Sequence, residues 1–489
     1  MRKRLIILSI IAVLAGGLAF WFLHVSDAEE SAAALGAPTA TPSEPIAGET
    51  ITVAAKLPTD FTREAMLQSK AGENWKTIAT DKSSDEGTVS FETTAPSKAS
   101  VFRVVAPEVT RNRKLYMSRT TPALTLTPTE VLSSLTVLPA IAQTEKEAGL
   151  SPVTAAFSPA RPEQDVRLQQ STDGKTWEDV GTAKQDKKGI ASFKAKVDPK
   201  AEYRAALGDS DTVTTKAGKG AYPQQIFNDD FDGSALNSSA ATGWHQRYLG
   251  ILSSNMGRIC SESSPNSVTV SDGSLILRTL STGKSTPACS SRMAEAYNDT
   301  KKPVGSPSGQ ILTNGHVSTI TSANPGGFRF QYGVAAARIK FAENQGQHGS
   351  FWTQPADKTP GTEIDIVEYF GDGYSDGGLT HVIHYKENGK SQKVGNLKEV
   401  GDLSSIYGND DWWKDYHVYS VEWTPTEYVF RVDGTETWRT DKGINKAPGY
   451  LILSLLSSDW ELPMLPRGDD KNNKMAVDWV KVWQDPSMS

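Results

Sequence analysis

Cysteine is nearly absent from this chain: two occur in 489 residues, Cys260 and Cys289. A zinc site needs several ligands at tight spacing, and none of that kind is present. Charge of one sign is lacking too. The formal net charge is −6, with acids and bases interspersed, so no basic stripe argues for nucleic acid. No glycine-rich loop argues for nucleotide phosphate. Helical periodicity is scarce, while β-branched and aromatic runs recur at short intervals. The chain has one long apolar run, Leu5–Leu23.

The elements present are those of antiparallel sheets. Asp272-Gly273, Asn388-Gly389 and Asp433-Gly434 each lie between strand-like segments, and such pairs are the strongest short-range hairpin signal. The fold class read from this pattern is all-β, an antiparallel sandwich.

The chemistry concentrates in residues 363–368, E-I-D-I-V-E. A strand alternates its faces, so Glu363 and Asp365 share one side while Ile364 and Ile366 point to the core. Strict alternation would bury Glu368. A β-bulge at Ile366-Val367, one extra residue, returns it to the face of the other two acids. A solvated amphipathic strand is the plain reading of any alternating run. Here three like charges share a face with no base between them, and costly clustering of acids marks a site. Two glutamates flanking an aspartate suit retaining hydrolysis of a glycosidic bond, whose carboxyls sit roughly 5 Å apart.

The stretch resembles the active-site strand of glycoside hydrolase family 16, in its bulged form E-x-D-x-x-E. Further segments follow that family's order: Phe227–Gly233, Ser267–Thr279, Tyr332–Lys340 with Ser350-Phe351-Trp352, Asp415–Pro425, Val432-Asp433-Gly434 and Met475–Trp483. The resemblance covers residues 225–487 and narrows the fold to a concanavalin A-like β-jelly roll with a cleft across its concave sheet. It implies an endo-acting retaining glycosidase for a β-1,3- or β-1,3-1,4-glucan-like polysaccharide. Glu363 would be nucleophile, Glu368 acid/base, and Asp365 the residue that tunes the nucleophile.

On the same basis Trp352 is the leading sugar-stacking residue and His384 a cleft residue near the acid/base. Trp460, Tyr332 and Arg338 are weaker substrate contacts, while Trp423 and His417 pack or brace the sandwich. No catalytic cofactor is implied. One structural calcium is, with Asp230, Gly273 and Asp478 at the matching positions; ligands from separate segments suit a hard cation. Two departures bear on substrate. Ala335-Ala336-Ala337-Arg338 lacks the family's glutamate before the arginine, and His348-Gly349-Ser350 replaces its Trp-Pro-Ala. A non-catalytic glycan-binding module and a wall-remodelling transglycosylase are the competing readings.

The N-terminus bears on compartment. Met1-Arg2-Lys3-Arg4 precedes Leu5–Leu23, a run longer than the roughly 7–15 residues of a secretory core and close to the ~20 that span a bilayer. Residues 1–25 are therefore a signal peptide or a membrane anchor through residues 5–23. Basic residues stay cytoplasmic, so in either case the rest is expected outside the cell, secreted or anchored at its surface. In that oxidising setting Cys260 and Cys289 are expected to form one disulfide.

Residues 26–46 read as an Ala/Thr/Ser/Pro linker. A repeat follows. Leu67-Gln68, Trp75, Gly87, Phe91 and Phe102-Arg103 recur as Leu168-Gln169, Trp177, Gly189, Phe193 and Tyr203-Arg204, an offset of about one small β-sandwich. Residues 47–127 and 128–214 are expected to be two immunoglobulin- or fibronectin-like modules, each with a core tryptophan, Trp75 or Trp177. Residues 215–224 are expected to be a last linker. The expected partner is a polysaccharide, with no nucleic acid, and the expected state is a monomer.

Overall fold

The computed structural model describes residues 26–27, 35–141, 149–247, 250–251, 257–299, 310–356, 361–375, 378–396, 412–466 and 472–488. The apolar N-terminal segment lies outside them. Among the described residues no helix is long and apolar enough to cross a membrane. The chain divides into two compact units: one extends to Leu132 and includes 157–159, and the other holds the remainder.

The first unit packs two sheets around an apolar core. One contains Thr39–Thr41, Thr50–Lys56 and Thr88–Thr94; the other is built on Glu64–Ala71, Asn74–Lys82 and Ser100–Ala106. Alternation places Ile51, Val53, Leu67, Phe91, Phe102 and Val104 inside. Thr39–Thr41 pairs with Thr52–Ala54, so part of the expected 26–46 linker belongs to a sheet. The repeat recurs in the second unit, where residues 151–156 pair with Ile190–Ala195, and Asp165–Ser171 with Glu178–Lys184 and Glu202–Leu207.

Neither repeat tryptophan is a core residue. Trp75 and Trp177 are half-buried, and Arg103 and Arg204 lie 4.1 and 4.3 Å from their ring centroids. Each arginine donates from Nε to a glutamine, Gln68 or Gln169. Trp75 falls on the same strand face as Gln68, away from Leu67, and pairs there with a cation instead of apolar neighbours. The expected linker 215–224 is also held in place. Gly218 exchanges backbone hydrogen bonds with Tyr203, Ala221 donates to Val137, and buried Tyr222 donates to Glu422.

The C-terminal domain is a two-sheet jelly roll. Its cleft sheet runs in the order Leu312–Ser318, Gly449–Leu456, His348–Pro355, Glu363–Tyr369, Leu379–Glu387 and Lys390–Val394. The outer sheet carries Ser274–Ser281, Lys474–Gln484, Gly333–Lys340, His417–Trp423, Tyr428–Val432 and Thr435–Thr440. All adjacent pairs are antiparallel. Between the sheets lie Phe351, Ile364, Ile366, Val367, Tyr419, Phe430, Leu453 and Val480, each essentially inaccessible. The hairpin turns at Asp272-Gly273, Asn388-Gly389 and Asp433-Gly434 have positive φ at both residues, as a tight two-residue turn requires.

The helix Pro287–Asp299 has no counterpart in the sequence reading. Its first residue is proline, whose fixed φ suits a helix start. It buries Cys289, Met293 and Ala296 against Ile311, Leu462 and Leu465. Cys289 is joined to Cys260 in a disulfide, which fastens the helix to the strand Ser261–Ser263.

Candidate active site

The acidic strand Glu363–Tyr369 lies between two partners and is bulged against both. Beside His348–Pro355, Trp352 faces Asp365 and Phe351 faces Val367, so Ile366 is passed over. Beside Leu379–Glu387, Asp365 faces Val382 and Glu368 faces Thr380, so Ile366 and Val367 together oppose His381. The shift sends both aliphatic side chains into the core, fully buried, and returns Glu368 to the face of Glu363 and Asp365. All three acids line one cavity of about 170 Å³.

A hydrogen-bonded chain holds the first acid. Gln354 donates from Nε2 to Glu363 Oε2 over 2.7 Å. The Oε1 of Gln354 accepts from Arg247 and from the Tyr450 hydroxyl. Asp365 is 5% exposed, and its Oδ2 lies 3.4 Å from His384 Nε2. Burial, then the negative charge of Glu368, pushes the Asp365 carboxyl well above the usual carboxylate range. The hydrogen bond to Asp365 raises the His384 imidazole in turn.

A second network closes another side of the cavity. His348 meets Glu461 through Nδ1 at 2.9 Å and Arg258 through Nε2 at 3.1 Å. Burial lowers the Arg258 guanidinium, opposed by the charges of Glu461, Glu368, Asp459 and Glu363. Asp459 accepts from the backbone amides of Ile259 and Cys260, so the disulfide segment is tied to the cleft wall.

The expected sugar-binding residues divide. Trp352 and His384 line the cavity. The Trp352 indole donates to Ser454 Oγ at 3.0 Å, and the Arg247 guanidinium sits 5.1 Å from its ring centroid. Trp460 is 51% exposed beside Phe370 and is not part of the cavity lining. Tyr332 and Arg338 belong elsewhere. Gly333–Lys340 pairs with His417–Trp423 and Lys474–Gln484 in the outer sheet, not with the strand bearing Trp352. Tyr332 therefore packs edge-on against core Trp423, and Arg338 binds Asp478 at 2.6 Å. The run of alanines before Arg338 is buried packing and carries no information about subsites. His417 braces the fold through Asp433 at 2.7 Å.

The calcium expectation does not fit these residues. Asp478 is neutralised by Arg338, and Asp230 by Lys481 at 2.9 Å. A hard cation needs oxygens turned toward one point, whereas these carboxylates are each committed to a base. Among the described residues the acids and histidine close enough to share an ion are Glu363, Asp365 and His384, inside the cleft.

Gln354, Arg247, Arg258, His348 and Glu461 went unrecognised as site residues in the sequence. Gln354 carried a signal: two residues after Trp352, it must share that residue's face. Arg247 and Arg258 stand outside regular strands, where no periodicity marks them.

A jelly roll whose concave face presents two glutamates around a buried aspartate is of the glycosidase class. Residues 294–481 match the family described as Glycosyl hydrolases family 16. The chain is 26% identical over 284 residues to glucan endo-1,3-beta-glucosidase A1 of Niallia circulans, covering 53% of this chain and 38% of that protein. Endo-1,3-1,4-beta-glycanase ExsH of Rhizobium meliloti (strain 1021) is 27% identical over 177 residues, 36% of this chain and 34% of that one. The chain thus spans little more than a third of either relative. The endo-beta-1,3-glucanase structure from Pyrococcus furiosus is similar at 22% identity, with a TM-score of 0.39, over 53% of this chain and 94% of that one. Within the C-terminal domain, residues 294–481 are the part that carries this family's pattern.

Proposed function

We propose that this protein is an exported, endo-acting, retaining glycoside hydrolase that cleaves a β-1,3- or β-1,3-1,4-glucan-like polysaccharide by double displacement. One observation carries the reading: a bulge at Ile366-Val367 gathers Glu363, Asp365 and Glu368 on one face of a cleft. A scaffold strand gains nothing from that clustering.

In the first step a Glu363 oxygen attacks the anomeric carbon while the bond to the leaving oxygen breaks. The proton of Glu368 passes to that oxygen. A glycosyl ester on Glu363 remains. In the second step water attacks the same carbon, Glu368 takes a water proton, and Glu363 leaves as carboxylate. Gln354 restrains the nucleophile through its hydrogen bond to Oε2. Asp365 lies between the two glutamates, and burial and the charge of Glu368 raise its carboxyl above the usual range. His384 Nε2 lies 3.4 Å from its Oδ2.

The relatives named for β-1,3- and β-1,3-1,4-linked substrates support the choice of polymer. Export rests on the basic-then-apolar N-terminus, and a disulfide suits an oxidising compartment. The two repeats are read as immunoglobulin- or fibronectin-like spacers. The test is a polysaccharide panel covering β-1,3-glucan, mixed-linkage glucan, agar, carrageenan and xyloglucan, with products sized early. Internal cleavage of a β-glucan is the expected result. No cleavage of any β-linked polymer contradicts it.

A further inference from the structure

Along Leu379–Glu387 the inward positions are Leu379, His381 and Ile383, all inaccessible. Alternation reserves such positions for apolar side chains, and buried polar groups are the informative exceptions. His381 lies flat against Phe430 of the outer sheet, with centroids 4.9 Å apart and planes at 26°. Its Nδ1 is 2.6 Å from the Ile366 carbonyl oxygen, and its Nε2 is 2.8 Å from the Thr437 hydroxyl on the outer sheet. A carbonyl can only accept, so the proton is on Nδ1, which leaves Nε2 an acceptor facing the Thr437 hydroxyl; that hydroxyl also lies 3.2 Å from the Phe430 carbonyl.

The Ile366 carbonyl belongs to the residue that the bulge removes from pairing on both sides. A buried carbonyl outside the ladder needs another donor. His381 is also the single residue opposed to Ile366 and Val367 together, so donor and bulge are matched one to one.

We propose that His381 is a positioning residue whose Nδ1–H holds the Ile366 carbonyl inward and thereby fixes the bulge that presents Glu368 to the cleft. The proposal deepens the hydrolase reading and rests on Glu368 as its acid/base. Without the donor, the carbonyl is satisfied only if the strand shifts its phase, and Glu368 moves with it. Substrate binding depends on cleft walls that His381 does not touch.

The experiment compares the full chain with His381→Leu and His381→Asn on the polysaccharide cleaved best. Deuterium uptake across residues 363–369 is measured in parallel. Asparagine keeps an N–H donor near the place of Nδ1, and leucine keeps only the bulk. The leucine variant should lose roughly 100-fold in kcat, as small misplacements of catalytic groups do, with KM within about two-fold. Its uptake across the strand should rise. Asparagine should restore most of both losses. Unchanged kcat and uptake in the folded leucine variant would overturn the proposal, as would an asparagine variant as impaired as leucine. A wild-type protein that cleaves nothing would instead overturn the hydrolase reading, and the uptake comparison would still decide whether His381 holds the bulge. Nitrogen NMR of the wild type gives a result independent of any variant's folding. An Nδ1-protonated ring is expected, and an Nε2-protonated ring contradicts the proposal.

Discussion

Gln354 donates to Glu363 across neighbouring strands, Nε2 to Oε2 at 2.7 Å, with its own carbonyl held by Arg247 and Tyr450. The Glu363 carboxylate is therefore restrained by a residue itself clamped twice. Replacing Gln354 by Met removes the donor and keeps the length of the side chain. A hydrogen bond to a charged group contributes about 1.5–3 kcal/mol, so kcat/KM should fall roughly 10- to 150-fold with the melting temperature little changed. Steady-state kinetics with a thermal melt checks this.

The two glutamates should fail differently. Glu363→Gln removes the attacking charge with little change of shape and should leave a folded protein with almost no activity on any substrate. Glu368→Gln should lose most activity on polysaccharide but retain much more on an aryl glycoside, whose leaving group needs no proton. Equal losses on both substrates in the Glu368 variant would argue against its role as acid.

Chain length at the bulge makes a sharper test of the face argument. Deleting Ile366 alone gives E-I-D-V-E, in which strict alternation still puts all three acids on one face. Some activity should survive, at a cost of about 2–5 kcal/mol in stability for the lost aliphatic group. Deleting Ile366 and Val367 gives E-I-D-E and turns Glu368 toward the core. Activity should vanish, as a reducing-sugar assay on the folded fraction would show.

His381 also predicts a pH dependence of stability. Burial pulls its imidazole down to about 4, against ~6.5 in the unfolded chain. The unfolded state binds the extra proton between those values, so the contribution is complete above ~6.5 and lost as pH falls toward 4. Its size is about 3 kcal/mol. Buried His316 is lowered as well and acts in the same direction. Asp365 acts in the opposite one: its raised carboxyl favours the fold at low pH, and that contribution fades as pH rises through its folded value. Denaturant melts of wild type and His381→Asn between pH 4 and 7 isolate the histidine. The wild-type advantage should shrink as pH drops, and a difference independent of pH would contradict the assignment.

The site was legible where it is local. The phase error in E-I-D-I-V-E could be read from six residues, because strand alternation is a rule about neighbours. Tyr332 and Arg338 were misplaced because a strand's sheet depends on pairing partners far along the chain. Gly333–Lys340 and His348–Pro355 are close in sequence yet belong to opposite sheets. The calcium set failed for a related reason: no spacing reveals that Lys481 and Arg338 reach Asp230 and Asp478 first. Trp75 and Trp177 looked like core residues because a lone aromatic in a sandwich usually is one. The arginines that cover them come from strands about 27 positions further on, across the sheet.

The stereochemistry of the first product tests the central claim most directly. If Glu363 attacks the sugar from the cleft floor and Glu368 serves the leaving oxygen, two inversions at the anomeric carbon restore its configuration. An inverting enzyme must instead admit a water between its base and the sugar, with carboxyls roughly 6.5–9.5 Å apart. Proton NMR in the first minutes of β-glucan hydrolysis, before mutarotation, reads the answer. The β anomer should appear first and the α anomer only later. An α anomer that appears first would contradict double displacement and the roles given to Glu363 and Glu368.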